Sequence, residues 1–191
     1  MCRERKRGET MSLSRSQIIE KRRALSIEPF RTLADVGFDG DWVSPYQISS
    51  CSPTGPVLVA LHWLDEPSIN EYRQILSELG YLPGIRFNNV LDLALGERGL
   101  LREDIYVTQA FHLVPAERSQ AIAKSALVRS FEAVTIHELV GRKVIGLGAE
   151  AGRLCEAFGV EHVSVCHPSR RGFSNEQNAA EISAAFSRLG F

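Results

Sequence analysis

The sequence lacks the features that mark metal-cluster, secreted and membrane-spanning proteins. Its four cysteines form no C-x-x-C pair, and nothing near Cys155 and Cys166 completes a zinc or iron–sulfur pattern. No run of about 18 apolar residues is present, so no membrane span is predicted. The N-terminus has no apolar segment of a secretory signal. Free thiols without a signal indicate a reducing compartment, and we expect a cytoplasmic protein.

Several catalytic motifs are also missing. The sequence has no P-loop, no H-E-x-x-H and no G-x-S-x-G, which argues against the enzyme classes that these motifs define. The segment GLGAEAG, at 146–152, lacks the G-x-G-x-x-G spacing of a dinucleotide fingerprint and follows the third predicted strand rather than the first. No cofactor and no metal are therefore predicted.

Neither sign of charge is in excess. The chain has 22 basic and 23 acidic residues and a formal net charge of −1, so a nucleic-acid partner would need a local basic patch. The basic stretch from Arg3 to Arg7 predicts a disordered N-terminal tail over 1–16. The remaining residues, 17–191, are enough for a single domain that buries its own core.

Four short apolar runs alternate with amphipathic segments along the chain. The runs are PVLVALHWL at 56–64, DIYVTQAFHLVP at 104–115, KVIGLG at 143–148 and EHVSVCHP at 161–168. The first run is apolar on both faces, which is typical of a strand buried between two layers of helices. The alternation predicts a three-layer α/β fold, with a parallel four-stranded central sheet and helices on both faces.

Cap and stop residues mark the predicted helices. Ser14 or Ser16 is the expected N-cap of the first helix, which Pro29 ends, and Ser68 begins a capping box for a helix that ends at Gly80. Further helices are predicted over 85–104, 119–142, 149–159 and 175–191.

Four segments follow the predicted strands. They are LDEPS at 64–68, TQAFH at 108–112, GLGAEA at 146–151 and HPSRRG at 167–172. Because ligands of parallel sheets bind beyond the carboxyl ends of the strands, these segments are expected to converge on one functional rim.

The order of these segments resembles the uracil-DNA glycosylase superfamily, whose members have a small parallel-sheet α/β fold. GLLREDIYVTQAF (99–111) is similar to the family's segment leading to a base-reading asparagine, KVIGLGAEAGRL (143–154) to its L-G-x-x-A strand and helix, and VCHPSRRG (165–172) to its H-P-S motif. The resemblance covers residues 55–190 and implies a uracil-DNA glycosylase-like fold. The cysteine positions do not match the branches that hold an iron–sulfur cluster, so no cluster is expected.

The H-P-S motif implies roles for its residues. His167 would stabilise the negative charge that develops on the departing base, and Ser169 would bind a phosphate. Arg170 and Arg171 would meet the DNA backbone or the gap left by a flipped base. The alternative is a strand-end histidine in a proline turn, followed by two solvated arginines.

The first motif departs from the family pattern G-x-x-P-G. Leu64 and Ser68 replace both glycines, which normally let the backbone approach the ligand. Asp65 or Glu66 would orient the attacking water, or both are acids favoured by the N-terminus of a helix.

The base-binding residues are also altered. Gln109 replaces the base-reading asparagine and either reads a base or is a polar loop residue. Phe87 and Phe111 are candidates for stacking on the base, with burial in the core as the alternative. Asn88 is a candidate for the polar lining or a helix cap.

Two other histidines are expected to lie outside the site. His62 is predicted to be a satisfied core histidine inside the first strand. His112 is expected at the surface, on the loop after the second strand.

The resemblance implies a monomeric DNA base-excision glycosylase that hydrolyses the N-glycosidic bond of uracil or a related deaminated base. Its partner would be DNA, single-stranded or uracil-containing. Two alternatives remain: an inactive nucleic-acid or nucleotide-binding protein of the same fold, and an enzyme acting on a free nucleoside or nucleotide. A rim patch of Arg118, Arg142, Arg170 and Arg171 would argue against the last of these.

Overall fold

The computed structural model of the chain describes residues 13–191, and its centre is a parallel sheet. Within that range four strands pair in the order β2-β1-β3-β4, all parallel. They are β1 (Val57–His62), β2 (Tyr106–Phe111), β3 (Val144–Leu147) and β4 (His162–Val165). Helices cover both faces, so the predicted three-layer α/β architecture is confirmed. The predicted tail lies outside the described residues as far as residue 12.

The helices occupy the segments between and beyond these strands. They are α1 (Arg15–Ala24), α2 (Glu66–Glu71), α3 (Arg73–Leu79), α4 (Arg86–Gly96), α5 (Lys124–Ser130), α6 (Ile136–Glu138), α7 (Ala149–Ala157) and α8 (Asn175–Arg188). A π-helical turn, Phe131–Thr135, joins α5 to α6, and short 3₁₀ turns lie at Pro45–Ile48 and Arg102–Asp104. No helix of the described range is long and apolar enough to cross a membrane.

Successive side chains of β1 enter two separate cores. Leu58 and Ala60 pack with α2, α3, α4 and α8, whereas Val57 and Val59 pack with α1, α5 and α7. A strand that is buried on both faces has no polar side to alternate with the apolar one. This burial explains why the run that begins at Val57 is continuously apolar.

Ser14 is the N-cap of the first helix, and Ser16 is not. The Ser14 side chain accepts from the backbone N–H of Gln17, whose side chain accepts from Ser14 in return, which completes a capping box. Helix α1 therefore begins at Arg15, within the stretch 1–16 that was predicted as a tail. The helix ends at Ala24, well before the predicted stop at Pro29.

The predicted capping box at Ser68 is wrong. Asp65 is the N-cap of α2, and its side chain accepts the backbone N–H of Ser68 at 2.9 Å. Pro67 lies in the first turn, where its missing N–H costs nothing. Gly80 ends α3 as predicted, with a left-handed φ of 75°.

The connections leave β1 and β3 toward opposite faces of the sheet. The chain passes from β1 to α2 in one outer layer and from β3 to α7 in the other. Such a switch opens a crevice at the carboxyl ends of the two strands, and this is where ligands bind in open α/β sheets. The prediction for the second strand is wrong in one respect. The segment TQAF was expected to follow β2, but it lies within that strand, where Gln109 pairs with Ala60 and Phe111 with His62.

Candidate functional site at the carboxyl edge of the sheet

A cleft of about 670 Å³ opens beyond the carboxyl end of β1. That volume falls within the usual range for small-molecule sites. The lining comes from the end of β1, α2, the start of α4 and the loops after β2 and β4. Its aromatic and ionisable lining residues are Tyr46, His62, Trp63, Asp65, Glu71, Tyr72, Arg86, Phe87, Arg118, His167 and Arg171.

His167 stands at the mouth of this cleft. It follows β4 and is accessible to solvent, and its ring lies 5.7 Å from the ring of Phe87, centroid to centroid. Gly148, at the end of β3, backs directly onto it, because a Cβ at Gly148 would lie 3.3 Å from the Cβ of His167. The close approach of the two loops therefore depends on a glycine, which also adopts a φ of 96°.

The turn after His167 selects one form of its ring. The backbone N–H of Ser169 donates to Nδ1 of His167 at 3.1 Å, so in the neutral ring the proton is on Nε2. Desolvation lowers the pKa of His167, which favours that neutral ring. His167 thus offers a neutral Nε2–H donor to a ligand in the cleft.

Helix α8 holds this turn in place. Asn178 is fully buried and donates to the carbonyl oxygens of Pro168 and Arg170, each at 3.2 Å. Arg170 donates back to Asn178 and pairs with Glu181 at 3.2 Å, and its guanidinium lies 3.7 Å from the ring centroid of Phe173. The predicted DNA contact Arg170 is therefore engaged within the fold.

The two acids of LDEPS have different environments. Asp65 is buried and lines the cleft, while its Oδ1 caps α2. Glu66 does not line the cleft; it forms an ion pair with Arg31. Of the two candidates for orienting water, only Asp65 is in position to meet a ligand.

Of the two predicted stacking residues, only Phe87 belongs to the cleft. It forms one wall together with Tyr46, whose ring is nearly parallel to it at a centroid distance of 6.1 Å. Phe111 points to the opposite face of the sheet, where it is fully buried edge-on against Phe30 at 4.8 Å. Phe111 is therefore a core residue and not a base-stacking one.

Neither predicted polar base contact lines the cleft. Gln109 is 1% exposed within β2, and its Oε1 accepts from the Ser44 hydroxyl at 3.1 Å. Asn88 is equally buried; it donates to the carbonyl oxygen of Leu82 and accepts from Arg102 at 3.0 Å. Both amides are occupied by the protein itself, so neither reads a ligand in this structure.

The four arginines that would argue against a free-nucleoside enzyme are not clustered on the rim. Arg118 and Arg171 are exposed on the cleft rim, and neither has a hydrogen bond or ion pair with another residue of the described range. Arg142 lies at the opposite, amino end of the strands, just before β3, where it donates to the carbonyl oxygens of Ser52 and Gly55. The rim therefore carries two available cations.

His62 is a cleft residue that was not predicted as one. It is the last residue of β1 and it lines the cleft, so it is not the satisfied core histidine that was expected. Its Nδ1 is shielded from solvent and has no partner within the described residues. The signal was present in the sequence, because His62 is the first polar residue of the apolar run and so marks the carboxyl end of the strand.

No protein-family model and no curated protein sequence matches the chain. Across residues 13–191, no three His, Cys, Asp or Glu side chains are grouped in a way that could hold a metal ion.

Proposed function

We propose that this chain is a DNA base-excision glycosylase that hydrolyses the N-glycosidic bond of uracil or a related deaminated base. The observation that carries the proposal is the hydrogen bond from the backbone N–H of Ser169 to Nδ1 of His167, which leaves Nε2–H for the cleft that also holds an aromatic wall and the carboxylate of Asp65. The similarity of the H-P-S segment to the uracil-DNA glycosylase superfamily supports the same assignment.

The cleft supplies groups for binding an extruded base. A flipped base stacks on Phe87, which Tyr46 supports from the far side. The Nε2–H of His167 then donates to a carbonyl oxygen of the base. As the bond to the sugar breaks, negative charge grows on that oxygen, so the hydrogen bond strengthens in the transition state.

Asp65 serves the sugar side of the reaction. One of its oxygens accepts the N–H of Ser68, which fixes the carboxylate and leaves the other oxygen to orient a water molecule. The water oxygen bonds to the sugar carbon as the bond from that carbon to the base nitrogen breaks. The base leaves with the bonding electron pair and takes up, through solvent, the proton that the attacking water loses, so the reaction consumes one water and needs no other co-reactant.

The rim accounts for the nucleic-acid contact. Arg118 and Arg171 are placed to bind the phosphates on either side of the extruded nucleotide, and Ser169 lines the same rim. Two cations make a small phosphate-binding surface, which suits a short single-stranded or distorted segment better than a long duplex.

A specific observation favours a second candidate, an enzyme acting on a free nucleoside or nucleotide. Arg142 and Arg170, two of the four arginines whose clustering on the rim would argue against this candidate, are bound within the protein. The same cleft chemistry would apply to a substrate that has no flanking phosphates.

One set of reactions separates these functions. Labelled single-stranded oligonucleotides with a single uracil, hypoxanthine or xanthine are incubated with the wild type and with His167→Ala, then treated with alkali, and free deoxyuridine and deoxyuridine monophosphate are tested in parallel. Strand cleavage that is lost in His167→Ala is the expected result. Hydrolysis of the free substrates alone would favour the second candidate, and salt-dependent DNA binding without cleavage would indicate a binding protein.

A further inference from the structure

His62 lines the same cleft as Asp65 and His167. Its ring is half-buried at the end of β1. Of its two ring nitrogens, Nδ1 is shielded from solvent and has no partner within the described residues. Nε2 is therefore the nitrogen that is accessible from the cleft.

The surroundings select the form of this ring as well. A buried N–H without an acceptor is rarer in proteins than an unpaired acceptor, so the shielded Nδ1 of His62 carries the lone pair and Nε2 carries the proton. Desolvation lowers the pKa of His62 most strongly; the charge of Asp65 raises it, and that of Arg118 lowers it. The ring is therefore neutral near pH 7 and offers Nε2–H to the cleft.

The cleft thus has two neutral imidazole donors. The residue expected to read the base, Gln109, is bound to Ser44 and cannot do so, whereas His62 and His167 both line the site. We propose that His62 is the specificity-determining residue, and that His62 and His167 together select a base with two carbonyl oxygens. This inference rests on the proposed function, because it names the substrate class of that same site.

The donor pair sorts bases by their carbonyl and amino groups. Uracil and xanthine each have two carbonyl oxygens and satisfy both donors. Hypoxanthine has one and leaves a donor unpaired. Cytosine places an amino group, itself a donor, against one of the N–H groups. Because an unpaired buried donor is costly, the order of preference is uracil and xanthine first, hypoxanthine second and cytosine last.

Two substitutions of His62 test this with a matched control. His62→Leu removes the donor, while His62→Gln keeps an amide N–H at about the reach of Nε2. The control is His137→Leu: His137 is also half-buried with an unpartnered Nδ1, but it lies on α6, away from the cleft. The measurement is kcat/KM on single-stranded oligonucleotides that contain uracil, xanthine or hypoxanthine.

We expect His62→Leu to lose about tenfold or more in kcat/KM on uracil and xanthine and little on hypoxanthine, so that selectivity collapses. His62→Gln should retain most of the selectivity, and His137→Leu should match the wild type. Unchanged selectivity in His62→Leu would overturn the inference while leaving the glycosylase function intact.

A second measurement does not depend on activity. Nitrogen-15 spectra of the histidine rings are recorded for the wild type, alone and with free uracil or free hypoxanthine. His62 should show a protonated Nε2 that shifts with uracil and much less with hypoxanthine. If His62 responded to uracil in this way but the protein released no base from any oligonucleotide, the role of His62 would be upheld and the proposed function would be refuted. A protonated Nδ1, or no response to uracil, would overturn the inference.

Discussion

Gly148 shows how one residue without a side chain shapes the proposed active site. It combines a φ of 96° and a ψ of 167°, a region that residues with a Cβ rarely adopt, with a close approach to His167. The position of the His167 ring over the cleft therefore depends on the absence of a Cβ at Gly148. Sequence comparison with a dinucleotide fingerprint gave this glycine no role, because its function is contact with a loop distant in sequence.

Gly148→Ala should lower both stability and activity. We expect the free energy of unfolding to fall by about 1–3 kcal/mol, since backbone strain adds to the contact with His167. The release of base should slow because the ring is displaced. Denaturant unfolding and base-release kinetics measure the two effects.

The matched control is Gly159→Ala. Gly159 also has a positive φ, 69°, but a Cβ there meets no atom within 4 Å. This variant should lose about 1 kcal/mol of stability and keep full activity. If both variants were equally active, the contact between Gly148 and His167 would have no part in the mechanism.

The candidate residues have different places in the structure. Asp65, Phe87 and His167 line the cleft. Gln109 and Phe111 were misplaced because β2 extends further than its apolar pattern showed, and the added length buries both side chains.

The loop after β4 depends on α8. The side chains of Asn178 and Glu181 bind the turn at the backbone N–H of Cys166 and the carbonyl oxygens of Pro168 and Arg170. None of these groups enters the cleft, so α8 acts on the chemistry only by fixing the turn that carries His167.

Asn178→Ala tests this positioning role. The substitution leaves the buried carbonyl oxygens of Pro168 and Arg170 without a donor, so we expect a loss of about 1–3 kcal/mol in stability. Base release should slow by tenfold or more, and hydrogen exchange at 167–172 should accelerate. Ser187→Ala, on the exposed end of the same helix, should leave both base release and hydrogen exchange at 167–172 unchanged. If Asn178→Ala had the same hydrogen exchange and the same rate of base release as the wild type, the loop would hold its position without Asn178.

At the scale of elements, strands and most helices could be predicted from apolar periodicity and from stops such as Gly80. The start of α2 could not, because Ser68 and Asp65 are both good caps and only the path of the chain chooses between them. Tyr46 could not be assigned to the cleft either. It lies in the 3₁₀ turn at Pro45–Ile48, remote in sequence from Phe87, against which its ring packs. Contacts between segments remote in sequence leave no local pattern.

At the scale of the whole molecule, the fold encloses a titratable group that does not line the cleft. Glu138 is buried and accepts hydrogen bonds from Tyr106 at 2.6 Å, Thr108 at 2.5 Å and Gln47 at 2.8 Å. Burial raises the pKa of Glu138 to about 7, despite these bonds. His112, which was expected at the surface, is buried beside it, and desolvation lowers its pKa to about 3. The two are therefore not an ion pair near neutral pH.

Glu138 makes the stability of the fold depend on pH. In the unfolded chain it ionises from about pH 4.5, whereas in the folded protein it stays protonated up to about pH 7. Its contribution to stability is therefore fully present below pH 4.5, is lost as the pH rises to 7 and is constant above. The total change should be about 3 kcal/mol.

Glu138→Gln keeps a neutral amide in the same place and removes this titration. The difference in free energy of unfolding, variant minus wild type, should rise steadily between pH 4.5 and pH 7 and stay constant above pH 7. His112 titrates in the opposite sense in both proteins, since its contribution is lost as the pH falls from 6.5 toward 3, and so it cancels in the difference. A difference that does not vary with pH would mean that folding does not raise the pKa of Glu138.

The central claim is that the Nε2–H of His167 stabilises a departing base. The most direct measurement is the single-turnover release of free uracil from a single-stranded oligonucleotide by the wild type, His167→Gln and His167→Ala. We predict that His167→Ala is about 10²–10³-fold slower than the wild type, with His167→Gln between them because it keeps an N–H donor. Equal rates in all three proteins, or no uracil released by the wild type, would contradict it.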